Sequence, residues 1–481
     1  MPNKKILNFI TLTFIFSLSV LQVYASLYST IGISSYGSIN QTYHFVVALD
    51  GSGDFTDIQS AINAVPASAN AIIEIKEGLY DLNPNFKYPY KSIVVKSNLV
   101  IRGEGIDRTI IRSFPTKQPP GSNIRAMSIT SQGDIENLVV EDLTVIQNGS
   151  PDNLGWSCID LRGGSNTNVT IRNVKVTDVT GAGIEAPKFD NLVIENCIIE
   201  NVWTGIALNG GTNGLVKGNK IVNTAGDGIF PQTTSNNLSV TDTLIEDNYL
   251  ENIGDTGIDI TSAAGRPPHE RITAQYNTLK NAHIRVSYAY NIKLIGNTIE
   301  NGFICIDAGQ GTPINITVEK NKITTSGNVG IAFYGAQDSQ ALNNEIYMTA
   351  PAQNVTQCGI SAAIRGTGLI EGNLIVNATN YGINFAGWRL GGDSKITIRG
   401  NMLLDFGDIG IYDDGLNQGP VLIENNTIWD RHEPFVSRYG IRTDYESNKW
   451  TIRNNRVYAG SIAYISAPGS NIYDNVYEPP A

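Results

Sequence analysis

One six-residue pattern recurs along most of the chain: an apolar residue, two variable positions, Asn, one variable position and a second apolar residue. It is clear at Val216-Lys217-Gly218-Asn219-Lys220-Ile221 and returns at Ile245–Asn248, Leu294–Asn297, Val318–Asn321, Ile370–Asn373, Ile398–Asn401 and Ile423–Asn426. Val193-Ile194-Glu195-Asn196-Cys197-Ile198 aligns as a further copy, and weaker ones sit at Leu143, Val174, Asn277, Asn344, Asn455 and Asn475. Successive copies lie 20 to 31 residues apart. After most of them comes Gly-Ile, as in Gly205-Ile206, Gly228-Ile229, Gly257-Ile258, Gly330-Ile331 and Gly382-Ile383. Each unit has room for three short strands and none for a helix. A unit of this size cannot bury an apolar face alone, but stacked units bury Ile on Ile and Val on Val. The repeat therefore predicts an all-β chain, a single parallel β-solenoid with three strands per rung and about 13–15 rungs. Stacked Asn amides can hydrogen-bond along a column and suit tight turns.

The 481 residues alone would suggest about three ordinary domains. The repeat replaces them with one elongated domain over 43–481. It also accounts for 48 Gly and only 16% charged residues, since turns recur on every rung and each strand gives half its residues to a shared core. The net charge of −11 excludes a broad nucleic-acid surface, which needs a basic footprint. An acidic polymer would need a local basic cluster or a bridging cation. At the N-terminus, Lys4 and Lys5 precede an apolar stretch from Phe9 to Leu21 and a Val23-Tyr24-Ala25 cleavage pattern. Residues 1–25 read as a signal peptide and 26–42 as a linker, which predicts secretion or a periplasmic or cell-surface location with no membrane span after cleavage. Cys158, Cys197, Cys305 and Cys358 form no Cys-x-x-Cys pair, so a zinc or thioredoxin-like site is excluded.

Three strands and about 25 residues per rung resemble the right-handed parallel β-helix of pectin-lyase-like proteins over roughly residues 43–475. The segment from Asp50 to Pro66 reads as a turn and a short helix that plugs the open first rung, with Thr56 and Gln59 forming a capping box and Phe55, Ile58, Ala61, Ile62 and Val65 on one face. With Glu77-Gly78-Leu79-Tyr80 it is similar to the start of pectin methylesterases. The Gln-Asp pair and the Asp-Phe-Ile-Phe-Gly strand of that family are absent, as is the Asn-Thr-Asp, Asp-Asp and Gly-His-Gly set of polygalacturonases. The resemblance implies a shared cap and fold, and a polysaccharide as substrate or ligand.

Residues flanking each buried Ile point outward. The column one after the Ile runs through Asp160, Glu185, Asp259, Arg285 and Cys305; three after, it includes Asp307 and Tyr334. His283 interrupts the Gly column. Asp259, His283, Arg285 and Asp307 thus fall on three adjacent rungs and form the candidate catalytic group. Tyr288 and Tyr334 lie near in register, and the loop from Ser262 to Ile272 carries Arg266, His269 and Arg271, all candidate substrate contacts. Such a set suits proton chemistry on a uronic acid, as in a lyase or C5-epimerase: Arg neutralises the sugar carboxylate, and His or Tyr exchanges protons. Asp259 orients His283 or, with Asp307, supplies oxygen ligands for Ca²⁺. Mannuronan epimerases carry Tyr-Gly-Phe-Asp-Pro-His-Glu, to which Gly257-Ile258-Asp259 is similar in part, with Pro268-His269-Glu270 displaced downstream. A glycoside hydrolase with Asp259 and Asp307 as its carboxyl pair is an alternative, and a non-catalytic glycan-binding solenoid is another. A second polar patch holds Asp413, Asp414, Arg442 and Asp444, with Trp388, Arg389 and His432 nearby as a further sugar subsite.

Overall fold

In the computed structural model, residues 43–82, 92–114, 127–147, 157–232, 238–349, 357–385, 394–413, 419–444 and 449–479 are described. The signal-peptide and linker segments, Trp388, Arg389 and Asp414 lie outside them. No helix among the described residues is long and apolar enough to cross a membrane.

The three strands of each unit enter three separate ladders, and every strand pairs in parallel with its counterpart one rung on. In the third ladder Ile258–Thr261 pairs with Ile284–Ser287, which pairs with Ile304–Asp307. The register carries the Gly-Ile isoleucines, with Ile284 after His283 and Ile304 after Phe303, into one internal column. Ile206, Ile229, Ile258, Ile284, Ile304, Ile331, Ile360, Ile383, Ile411 and Ile441 are all fully buried. Each contributes about 1.5–3 kcal/mol of apolar burial. The glycine before the isoleucine is required by close approach: a Cβ on Gly228 would lie 2.5 Å from both the Gly257 carbonyl oxygen and Leu250 Cδ2.

Eleven asparagines, from Asn219 through Asn248, Asn277, Asn297 and onward to Asn475, form an internal amide column. Each Nδ2 donates to the next Oδ1 at 2.9–3.0 Å. The same Oδ1 also accepts the preceding rung's backbone N–H, as Asn297 Oδ1 does from Asn277. The left-handed turns belong to other residues. Asn201, Asn223, Asn252, Asn281 and Asn301 have positive φ and form a second, exposed column. Two roles assigned to one Asn are therefore divided between two columns.

Two local readings shift. In the copy at Val193–Ile198, Cys197 occupies the amide column, accepting no side-chain ladder but donating its backbone N–H to Asn219 Oδ1, while Asn196 sits in the left-handed turn with φ 53°. Ile194, not Val193, is the core residue, because it pairs with Val216. The helix spans Ile58–Ala64 and is capped by Asp57, whose Oδ1 accepts the Ser60 N–H at 2.7 Å, rather than by a Thr56–Gln59 box. Gln59 instead bonds both backbone groups of Val94. Ile58, Ala61 and Ile62 face inward and cover the first rung, as an open solenoid end requires.

Candidate functional site

The third ladder sets the outward columns rung by rung. Asp259 is in register with Arg285, and Arg285 with Cys305; Thr261, Ser287, Asp307 and Tyr334 form the parallel column two residues on. Arg285 Nε donates to Asp307 Oδ2 at 2.8 Å. Asp307 Oδ1 accepts from the Gly309 N–H at 2.7 Å and the Ser287 hydroxyl at 3.2 Å. With both oxygens occupied, Asp307 holds the guanidinium in place and is poorly placed to give ligands to Ca²⁺ with Asp259.

Asp259 is different. It is 7% exposed and accepts a hydrogen bond from the Thr261 hydroxyl. Burial, opposed by Thr261 and by Arg285, pushes its carboxyl up to about 6. One rung earlier lies Asp227, whose carboxyl is pushed up to about 7, first by burial and then by the charges of Asp259 and Asp255. Asp227 Oδ1 accepts the Thr256 N–H at 3.2 Å. Asp227 lies two residues before Ile229, outside the outward columns that begin one residue before the isoleucine. The matching corners Gly226-Asp227-Gly228 and Asp255-Thr256-Gly257 are the signal that would have found it.

His283 completes the group. Its ring stacks on Phe303 with centroids 4.5 Å apart and an interplanar angle of 7°, and its Nε2 lies 3.3 Å from the Thr256 hydroxyl. Burial holds its pKa below the ordinary histidine value, with Asp255 opposing. Asp227, Asp255, Asp259, His283 and Arg285 therefore act on one another electrostatically across three rungs.

The other candidates divide. Tyr334 is exposed beside Asp307. Tyr288, with φ 48°, packs edge-on against Tyr290. The expected loop to Ile272 ends early, because His269–Gln275 is a strand of the first ladder. His269 is fully buried: its Nδ1 accepts the Val240 N–H at 3.0 Å and its Nε2–H donates to the Thr261 carbonyl at 3.2 Å. It ties the wall together and presents nothing to a ligand. Arg271 also sits on the first ladder, bonded to Asp242 at 2.6 and 2.8 Å and to Glu270 at 2.6 Å. Arg266, partly buried, remains in the Ser262–Pro268 connection, and its N–H donates to the Ala263 carbonyl at 3.1 Å.

His269→Ala leaves the Val240 N–H and the Thr261 carbonyl unpaired, and is expected to cost about 2–4 kcal/mol. Burial lowers its pKa to about 4. The unfolded chain thus takes up this proton first, and stability is lost as pH falls from about 6.5 toward 4. Denaturant midpoints should show a smaller acid loss in His269→Ala than in the wild type.

In the second patch, Arg442 Nη2 pairs with Asp444 Oδ1 at 2.6 Å and the Tyr412 hydroxyl donates to Asp444 Oδ2 at 2.5 Å. His432 Nδ1 lies 2.6 Å from Asp430 Oδ1 instead. Asp405, Asp430 and His432 bring ligand atoms within 4.8 Å of one another. Arg431 grips Asp405, and Ser437 and His432 bond Asp430, so these groups already satisfy one another. All four cysteines are free thiols.

Residues 127–298 and 350–478 match the family model described as right handed beta helix region. The chain belongs to this right-handed β-helix family. A second model, pectinesterase, matches residues 44–177 of the β-helix, the part that carries the cap and first rungs. Putative pectinesterase/pectinesterase inhibitor 38 of Arabidopsis thaliana is 31% identical over 140 residues, which is 28% of this chain and 27% of the relative. Mannuronan C5-epimerase AlgE3 of Azotobacter vinelandii is 25% identical over 231 residues, 46% of this chain and 12% of the relative. The matches thus span about a quarter or less of these curated relatives. Among solved structures, the A-module of the Azotobacter vinelandii mannuronan C-5 epimerase AlgE4 is 16% identical, with 88% of this chain and 95% of that one covered and a TM-score of 0.45. The tailspike protein of E. coli bacteriophage HK620, in complex with a pentasaccharide, is 13% identical, with 86% and 75% covered and a TM-score of 0.48.

Proposed function

We propose that this β-helix protein is a secreted carbohydrate-active enzyme that cleaves a glycan by acid–base catalysis at Asp227 and Asp259. The observation that carries this reading is the contrast among the carboxyls. Asp307 is held by Arg285, whereas Asp227 and Asp259, on adjacent rungs and near enough for the Asp259 charge to raise Asp227, have no ion pair to either among the described residues. Two carboxyls so placed share protons near neutrality, which supplies one proton donor and one acceptor in a single site. The protonated carboxyl gives its proton to the leaving oxygen; the other activates water or attacks the sugar carbon. Arg285, positioned by Asp307, faces Asp259 and stabilises its charged form.

A second reading, a lyase or C5-epimerase on a uronate-containing glycan, is favoured by the likeness to mannuronan C5-epimerase and by neutral His283 beside Arg285. It is weakened by the Asp307 ion pair, which leaves Arg285 partly neutralised toward a sugar carboxylate. A glycan panel separates the readings through new reducing ends, unsaturated-product absorbance and C5 proton exchange. The expected result is new reducing ends alone. Unsaturated-product absorbance, which a lyase gives together with new reducing ends, or C5 exchange without cleavage would establish the second reading, and silence on all three would leave a binding solenoid. Arg285→Lys keeps the charge but loses the forked geometry, and is expected to lower turnover about tenfold or more with little change in melting temperature.

A further inference from the structure

Trp203 is the most exposed aromatic side chain among the described residues, at 59%. It lies at the corner leading into the third ladder, one rung before Asp227. The Gly226 N–H donates to the Trp203 carbonyl at 2.7 Å, and a Cβ on Gly226 would lie 3.0 Å from the indole Nε1. The indole therefore rests along a glycine, the residue directly before Asp227. On the next rung the exposed Gly254 and Asp255 continue this bare corner. One rung further the His283–Phe303 stack closes it. Trp203 to His283 spans three rung steps, about 14 Å, with the carboxyls between two aromatic surfaces.

We propose that Trp203 is the stacking platform of a subsite for a neutral glycan chain that runs along the helix axis, over Asp227 and Asp255, to the His283–Phe303 stack. The inference rests on the acid–base reading of Asp227 and Asp259. A sugar ring offers an apolar face to an aromatic platform and hydroxyl donors to neighbouring carboxyl oxygens. Charge selects the class of glycan. The outward side of these and the adjoining rungs carries Glu185, Asp227, Asp255, Asp259 and Asp307. Its cations Arg162 and Arg285 are each paired with acids of the same face: Arg162 lies 3.3 Å from Glu185 Oε1 and Arg285 2.8 Å from Asp307. A polyuronate would meet like charge along this path.

The test is affinity electrophoresis of the full chain at pH 7.5 in native gels containing xylan, mixed-linkage β-glucan, starch, polygalacturonate or alginate. At least one neutral polymer is expected to retard the wild type. Trp203→Ala should weaken that retardation about tenfold and Trp203→Phe less than about threefold. Both should keep the wild-type melting temperature, since the side chain is on the surface. On a cleaved glycan, Trp203→Ala should raise KM and leave kcat within about twofold. Unchanged binding and KM in Trp203→Ala, with turnover present, would overturn the platform and leave the acid–base site standing. Trp203-dependent binding without turnover would do the reverse. Retardation by the polyuronates alone, or by none of the five polymers, would overturn the proposal.

Discussion

Asn297→Ala is expected to destabilise the protein by about 3–5 kcal/mol, a loss shared by the other buried members of the amide column. The amide makes four contacts at once. Its Nδ2 donates to the Ala274 carbonyl at 3.0 Å and to Asn321 Oδ1 at 2.9 Å; its Oδ1 accepts both the backbone N–H and the Nδ2 of Asn277 at 3.0 Å. Alanine leaves the Asn277 N–H and the Ala274 carbonyl buried without these partners, and each orphan costs about 1–3 kcal/mol. Asn475→Ala, at the exposed last rung, is the control. Its Oδ1 accepts the Asn455 N–H and Nδ2 and its Nδ2 donates to Ile452 and Tyr473, all part-buried or exposed, so water replaces what is lost, and the cost should be near 1 kcal/mol. Denaturant midpoints and hydrogen exchange of the Asn277 amide report the difference. Equal losses at the two positions would mean that the column is not a continuous buried ladder. In a solenoid each rung is held by its two neighbours, so the Asn297 defect should open the central rungs before the ends.

The same column shows what a sequence of this kind reveals. Periodicity is written in residue identity, so the three strands, the isoleucine stack and the outward register from Asp160 to Arg442 were all legible. Local chemistry with no period was less so. Cys197 substitutes for Asn in one rung, and its neighbour Asn196 misled the alignment by one residue, because both the turn and the ladder favour Asn. Asp57 took the cap from Thr56 because the chain reverses one residue later than the spacing suggested. At the site, Asp259, Arg285 and Asp307 are legible from their fixed spacing to the isoleucine. Burial cannot be counted in that way. His269 looks like a free histidine in a loop, yet the first ladder claims it. Asp227 looks like an ordinary turn residue, yet its corner buries it within reach of the charges of Asp255 and Asp259. Which carboxyl is paired and which is not depends on where Arg285 points.

Asp259→Asn and Asp227→Asn are each expected to lower turnover by about 10²–10⁴-fold. The wild-type activity should follow a bell in pH whose limbs lie near the two apparent values of about 6 and about 7, belonging to the pair and not to either residue alone. Stability should move in the opposite sense to activity in these variants. The Asp259 carboxyl is raised, so between its ordinary value near 3.9 and about 6 the folded chain holds a proton that the unfolded chain has released. Stability therefore falls as pH rises through that window, and above it the folded protein bears the cost of a buried charge. A shift of about two pH units sets an upper bound of about 3 kcal/mol on that cost. Asp259→Asn keeps an oxygen to accept from Thr261 and carries no charge. It should melt higher than the wild type at pH 8, by the equivalent of about 1–3 kcal/mol, and no higher at pH 4, where the wild-type carboxyl is also neutral. This pairing separates a poised acid from a structural one. A structural Asp259 would lose stability on substitution at both pH values and leave turnover nearly intact. An inactive variant with a gain confined to the alkaline side requires a carboxyl held above its ordinary range by the fold and used there by the reaction.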